Sequence, residues 1–153
     1  MDSRIVSGGA DLLIVRDLFR EYSEQLDVDL CFQGFASELA GLPGDYAAPT
    51  GTLLLGLAGE AAAGCVAVRR WAESACEMKR LYVRPAYQGA GVGRYLAEQA
   101  ILWAANNGYR RVLLDTLPSM HRAQRLYETL GFRDTEAYRP NPVEGVRYMS
   151  LDI

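Results

Sequence analysis

Six residues, Gln88-Gly89-Ala90-Gly91-Val92-Gly93, narrow most sharply what this chain can fold into. Before them runs an apolar, strand-like segment, Ala75–Val83. After them Val92, Leu96, Ala100 and Trp103 recur at helical spacing, which predicts a long amphipathic helix through Asn107 with Asn107-Gly108 as its stop signal. Three alternating glycines cost about 1 kcal/mol each relative to alanine wherever they fall inside a helix, and a plain turn needs only one. Glycine permits positive φ and close approach of a ligand to the backbone. The amides at the helix start then face outward, where the helix dipole adds partial positive charge. Phosphate is the natural guest of such a turn. The next apolar run, Val112-Leu113-Leu114, has the continuous character of a strand buried on both faces. Strand, turn, helix and strand in sequence require a right-handed crossover, so these two strands are expected to lie parallel.

The rest of the chain supplies the partners of this unit. Arg4-Ile5-Val6 reads as an opening strand, and Leu12, Val15, Phe19, Tyr22 and Leu26 mark an amphipathic helix. A shorter helix is expected over Gln33–Ala40, ended by Gly41-Leu42-Pro43-Gly44. Strands at Leu53–Ala58, Gly64–Trp71 and Ala75–Val83, joined by short turns, predict an antiparallel meander. Ser119 is placed to cap a helix from Met120 to Leu130, with Gly131 past its end, and strands at Phe132–Ala137 and Arg147–Ile153 close the chain. The expected fold is α+β: one domain over residues 1–153, with a mixed, mostly antiparallel sheet of about seven strands and about four helices.

Several function classes drop out. The 153 residues carry 16 Lys and Arg against 19 Asp and Glu, a formal charge of −3, with no long basic run. Sequence-independent nucleic-acid binding needs clustered cations, so no nucleic-acid partner is expected. The stretch Leu53–Val68 is broken by Gly56, Gly59, Glu60 and Gly64 and is too short to span a bilayer, and the N-terminus lacks a secretory pattern. Cys31, Cys65 and Cys76 lack metal-ligand spacing and read as buried thiols of a cytoplasmic protein. His121 is the only histidine, which leaves a zinc site or a histidine-based triad without partners.

Two ligand readings of the glycine turn compete. A dinucleotide fingerprint wants a third glycine and an acid about 20 residues on. Asp115 sits 22 residues past Gly93, but Leu96 stands where the third glycine belongs, and the turn follows a meander. The other reading is a family one. Gln88-x-x-Gly91-x-Gly93 after Leu81-Tyr82-Val83-x-Pro85-x-Tyr87 closely resembles the acetyl-CoA-binding motif of the GNAT superfamily of N-acetyltransferases. Leu126-Tyr127-Glu128-Thr129-Leu130-Gly131-Phe132 resembles its second motif at the expected distance downstream.

The resemblance implies a splay between the fourth and fifth strands that admits the thioester, with acetyl-CoA as co-substrate and no metal. It implies that Gln88, Gly89, Ala90, Gly91, Val92, Gly93 and Arg94 hold the pyrophosphate. Leu81, Tyr82 and Val83 would pair their backbone with the pantetheine arm, as an added strand would, and Leu81's amide would donate to the thioester oxygen. Tyr127 matches the general acid that protonates the leaving thiolate. Glu77 occupies a position where several members carry a catalytic carboxylate, and strict alternation puts it on one face with Lys79, Leu81 and Val83. A water chain is the alternative base, and Asp115 a weaker one. Met120 stands where members often have asparagine, a departure that keeps open a non-catalytic acyl-CoA sensor. The acceptor site would come from the first helices and last strands, including Tyr22, Cys31, Phe32, Phe35, Tyr138, Arg139, Asn141 and Tyr148. A primary amine of a small molecule or peptide is the implied acceptor, and a homodimer is compatible with the family.

Overall fold

A computed structural model describes residues 1–26, 28–30 and 34–153. Seven strands form one sheet: β1 (Asp2–Ile5), β2 (Thr52–Ala58), β3 (Ala61–Ala72), β4 (Ala75–Val83), β5 (Arg111–Thr116), β6 (Arg133–Asp134) and β7 (Arg147–Asp152), in the spatial order β1-β2-β3-β4-β5-β7-β6. Among the described residues four α-helices accompany it: α1 (Gly9–Gln25), α2 (Phe35–Ala40), α3 (Val92–Asn106) and α4 (His121–Thr129). The expected start of α2 at Gln33 lies outside the described residues. Every strand pairing is antiparallel except β4 with β5. This order excludes the dinucleotide reading, which requires a chain of parallel βα units.

Side chains alternate along the strands, so the sheet buries two apolar layers. On one side, Val66, Val68, Cys76, Met78, Val112 and Leu114 pack under α3 and α4, against Leu96, Ala97, Ala100 and Tyr127. On the other, Leu53, Leu55, Cys65, Ala67 and Tyr82 pack under α1 and α2, against Val15, Leu18, Phe19 and Phe35. Cys65 and Cys76 are free, buried thiols, one in each layer, and burial pushes both thiol pKa values up, that of Cys76 to about 12. Cys31 lies outside the described residues.

Two expectations at the C-terminal end need correction. The N-cap of α4 is Met120 and not Ser119, and no side-chain cap bond closes that helix start. The sixth strand is confined to Arg133–Asp134. Residues 135–146 leave the sheet and run back toward β4, drawn there by the contacts of Tyr138 and Arg139 described below.

β4 is the strand that positions the site. Its register with β3 runs Ala67 to Lys79 and then Cys65 to Tyr82, so Arg80 and Leu81 together oppose Val66. That is a β-bulge, and Arg80 has φ of 59°, the only positive φ on a described non-glycine residue. A left-handed backbone there costs roughly 1–2 kcal/mol. A forked ion pair holds it in place: Arg80 Nε donates to Glu38 Oε2 at 2.8 Å and Nη2 to Oε1 at 3.0 Å, with the guanidinium over the Phe35 ring at 5.2 Å. The bulge inverts the alternation beyond it. Glu77 and Lys79 belong to the α1/α2 side, whereas Leu81 and Val83 pack into the α3/α4 layer. Strict alternation put Glu77, Leu81 and Val83 on one face, and the extra residue at Arg80 is why that expectation fails.

Candidate functional site

β4 and β5 pair only where they begin, through Ala75 with Arg111, Cys76 with Val112 and Glu77 with Leu113. Past Glu77 they separate, so the backbone from Met78 to Val83 has no ladder with β5 among the described residues. This is the expected splay between the fourth and fifth strands. It opens the sheet and lets side chains from both layers meet in one place.

The glycine turn stands at the mouth of the splay. Gly89 and Gly91 take φ of 82° and 84°, conformations an L side chain rarely adopts. Gly91 is the N-cap of α3, and the Gln88 side chain donates from Nε2 to the Val83 carbonyl at 3.1 Å, closing the base of the loop. A groove of about 410 Å³ runs from this turn to the start of α4. Of the residues expected to hold the donor, Leu81, Val83, Gln88, Gly89, Gly91, Val92, Gly93 and Arg94 line it. Ala90 and Tyr82 do not. Tyr82 turns to the α1 side, where its hydroxyl donates to Glu21 Oε1 at 3.3 Å. Arg94 pairs with Glu98 at 2.8 Å and donates to Thr129 Oγ1 at 3.2 Å. Met120, His121, Arg122 and Leu126 form the opposite wall.

At its inner end the groove meets a second, smaller cavity of about 30 Å³, and the two share Leu81 and Met120. Tyr22 from α1 and Tyr127 from α4 face this cavity from opposite layers, together with Lys79, Arg80, Asp115, Thr116 and Asn141. Asp115 Oδ2 and Thr116 Oγ1 are buried there with no hydrogen-bond partner among the described residues. The volume holds about one water molecule, or the head of one small amine. Tyr127 packs edge-on to Phe132 at 5.7 Å, and burial, with Tyr22 and Asp115 beside it, raises its phenol pKa well above the ordinary value. It therefore stays protonated at neutral pH.

Glu77 sits elsewhere. Its carboxylate is fully buried on the α1/α2 side, outside the lining of both groove and cavity. Arg69 Nε donates to Oε1 at 2.9 Å, Tyr138 Oη donates to Oε2 at 2.5 Å, and Arg139 pairs with Oε1. Burial works to raise its pKa, but Lys79, Arg69, Arg139 and the Tyr138 hydroxyl outweigh that and hold it below the ordinary carboxylate range. Tyr148 donates to the Arg139 carbonyl at 2.8 Å. The aromatic residues of the C-terminal segment are thus turned inward around Glu77, and they fasten the 135–146 loop, which carries Asn141 and Val146 into the cavity. Cys31 and Phe32 lie outside the described residues, and Phe35 is stacked under Arg80.

Sequence reasoning passed over Lys79 and Arg80. Lys79 was visible only as one of three charged residues in its strand, with Glu77 and Arg80. The role of Arg80 depends on a bulge that no periodicity reveals. Among the described residues no group of three or more His, Cys, Asp or Glu side chains could hold a metal ion, and no helix is long and apolar enough to cross a membrane.

The sheet is thus split, with a glycine turn at its mouth and a polar cavity at its inner end. Residues 14–132 match the acetyltransferase (GNAT) family. An uncharacterized N-acetyltransferase of Schizosaccharomyces pombe is 39% identical over 145 residues, covering 94% of this chain and 89% of the relative. An N-acetylaspartate synthetase of Danio rerio is 29% identical over 122 residues, covering 76% of this chain and 43% of that one. A GNAT family acetyltransferase of Elizabethkingia anophelis, solved with acetyl-CoA bound, superposes with a TM-score of 0.70 at 21% identity, covering 99% of this chain and 98% of its own. The chain belongs to the GNAT family and is an acetyl-CoA-dependent N-acetyltransferase.

Proposed function

We propose that the protein transfers the acetyl group of acetyl-CoA to a primary amine of a small molecule or peptide, by direct attack while both are bound. The observation that carries this is the meeting of groove and cavity at Leu81 and Met120. A donor in the groove presents its thioester where an acceptor in the cavity can reach it. The turn from Gln88 to Arg94 holds the pyrophosphate through outward amides, and the free edge of β4 at Leu81, Tyr82 and Val83 takes the pantetheine arm. The Leu81 amide donates to the thioester oxygen as negative charge grows there. Tyr127, buried and protonated, gives its proton to the departing thiolate.

Glu77 enters this scheme as an anchor. Its three partners, Arg69, Tyr138 and Arg139, lie beside the cavity and fix the loop that closes it. The small cavity supports a compact acceptor head, and so does the similarity to a relative named N-acetylaspartate synthetase. The test is release of free thiol from acetyl-CoA with and without a panel of amino acids, simple amines and peptide N-termini. Acceleration by a compact amine, lost in Tyr127→Phe with acetyl-CoA affinity retained, is the expected result. Tight binding of acetyl-CoA with no acceleration by any amine would point to a non-catalytic acyl-CoA sensor.

A further inference from the structure

Among the 16 Lys and Arg of this chain, a single one is lysine, Lys79. Every other side-chain cation apart from the one histidine is an arginine, which keeps its proton at any pH a protein tolerates, whereas burial can strip the proton from a lysine. Lysine is ordinarily a surface residue. Here the only one is buried on β4, in the wall of the inner cavity with Asp115, Tyr22 and Tyr127. It stands two residues before Leu81, where cavity and groove join.

That cavity has a chemical requirement its other groups do not meet. An alkylamine acceptor arrives as an ammonium ion and has no lone pair until a proton leaves. Glu77 is outside the cavity and bound by Arg69, Arg139 and Tyr138. Tyr127 is needed in its protonated form. Asp115 presents a buried carboxylate oxygen without a hydrogen-bond partner among the described residues, an arrangement suited to holding an ammonium.

We propose that Lys79 is the group that takes the proton from the acceptor's ammonium, while Asp115 holds that ammonium beside it. This rests on reading the inner cavity as the acceptor site. The charged and titratable groups facing Lys79 are Glu77 and Arg80 on β4, Asp115 on β5, Arg139 in the following loop, and Tyr22 and Tyr127 across the cavity. Burial, with help from Arg80 and Arg139, disfavours the ammonium form, and Glu77 and Asp115 favour it. Burial prevails, and the Lys79 pKa falls to about 8. A base that titrates near the working pH combines availability with driving force.

The protons balance. The acceptor ammonium gives one proton to neutral Lys79 Nζ, which later passes it to solvent. The freed nitrogen lone pair attacks the acetyl carbon, the C–N bond forms and the C–S bond breaks. The proton that the new amide nitrogen sheds replaces the one Tyr127 has given to the thiolate.

One lysine in the chain makes the test direct, because protein labelled with 15N-lysine has one side-chain amine signal. That signal is expected to titrate near pH 8 in the folded protein, against about 10.4 for an unfolded lysine. A folded signal that titrates at the unfolded value overturns the proposal. Kinetics with ethylamine as the probe acceptor supply the second arm. Lys79→Arg keeps the charge but cannot give up its proton, and Lys79→Met keeps the length without the amine. Both are expected to lower kcat about 100-fold or more with acetyl-CoA affinity retained. Both should lose far less with hydroxylamine, which is already neutral at the assay pH. Unchanged kcat in both Lys79 variants, with Tyr127→Phe impaired, would remove Lys79 and leave the cavity reading intact. Unchanged kcat in all three would remove the cavity reading itself.

Discussion

Replacing Glu77 by glutamine separates an anchoring carboxylate from a catalytic one. The wild-type side chain is wholly buried and accepts from Arg69, Tyr138 and Arg139. Glutamine keeps the volume but loses the charge, and it turns an NH2 group toward donors. Breaking a buried ion pair by neutralising one partner costs about 3–5 kcal/mol. The side chains of Arg69 and Arg139 keep 21% and 14% exposure, so water can take up some of their charge and the lower figure applies. For a chain of this size about 3 kcal/mol corresponds to a fall in Tm of roughly 6–12 °C. The effect has a pH signature. The native pKa of Glu77 is depressed, so its stabilisation is full above the ordinary carboxylate value of about 4.3 and fades as pH falls through the lower native one. The gap in Tm between wild type and Glu77→Gln should therefore narrow in acid. Thermal melts followed by circular dichroism, with calorimetric titration of acetyl-CoA, read both quantities. Affinity for acetyl-CoA should be preserved, because Glu77 does not line the groove. An unchanged Tm together with a kcat lowered 100-fold or more would refute the anchor and make Glu77 the base.

Other substitutions probe the donor side. Gly91→Ala forces a residue with a Cβ to hold φ of 84° at the α3 N-cap, a strain of roughly 1–2 kcal/mol. Acetyl-CoA affinity should fall about tenfold if the turn relaxes away from its bound shape, as calorimetry would register. Glu38→Ala strips the forked partner from buried Arg80, leaving a left-handed arginine without its restraint. A loss of about 3–5 kcal/mol in denaturant unfolding is expected, with weaker acetyl-CoA binding as the bulge at Leu81 loosens. Met120→Ala enlarges the junction of groove and cavity and should broaden the range of amines accepted, measured as kcat/KM across the panel.

What the sequence disclosed follows the physics of each signal. The strand Ala75–Val83, the helix after the glycine turn and the parallel pairing of β4 with β5 were all legible, because periodicity and right-handed crossover are local rules. The groove at the glycine turn was legible too, since turn glycines mark themselves by their φ requirement. The inner cavity was legible only in part: the resemblance pointed to Tyr22, Asp115, Tyr127 and Asn141 one by one, but they and Lys79 come from five separated segments, and no spacing in the chain ties them together. Glu77 illustrates the same limit. Alternation placed it with Leu81, and one extra residue at Arg80 reversed the relation. That residue is held by Glu38, 42 positions earlier in the chain, so the bulge is a tertiary fact. The sixth strand stopped early for a similar reason: Tyr138 and Arg139 gain more from the buried Glu77 carboxylate than from extending an edge.

In the proposed complex acetyl-CoA lies along the splayed strand and the glycine turn, with its thioester at the junction with the inner cavity. Amide nitrogen–proton spectra recorded while acetyl-CoA is added test it most directly. The expected result is that Leu81, Val83, Gly89, Gly91 and Gly93 shift first and furthest, followed by Tyr127 and Asp115, while Glu77 and its neighbours on β3 barely move. Saturable binding that perturbs residues away from β4 and the turn, or spectra of a folded protein that acetyl-CoA leaves unchanged, would contradict it.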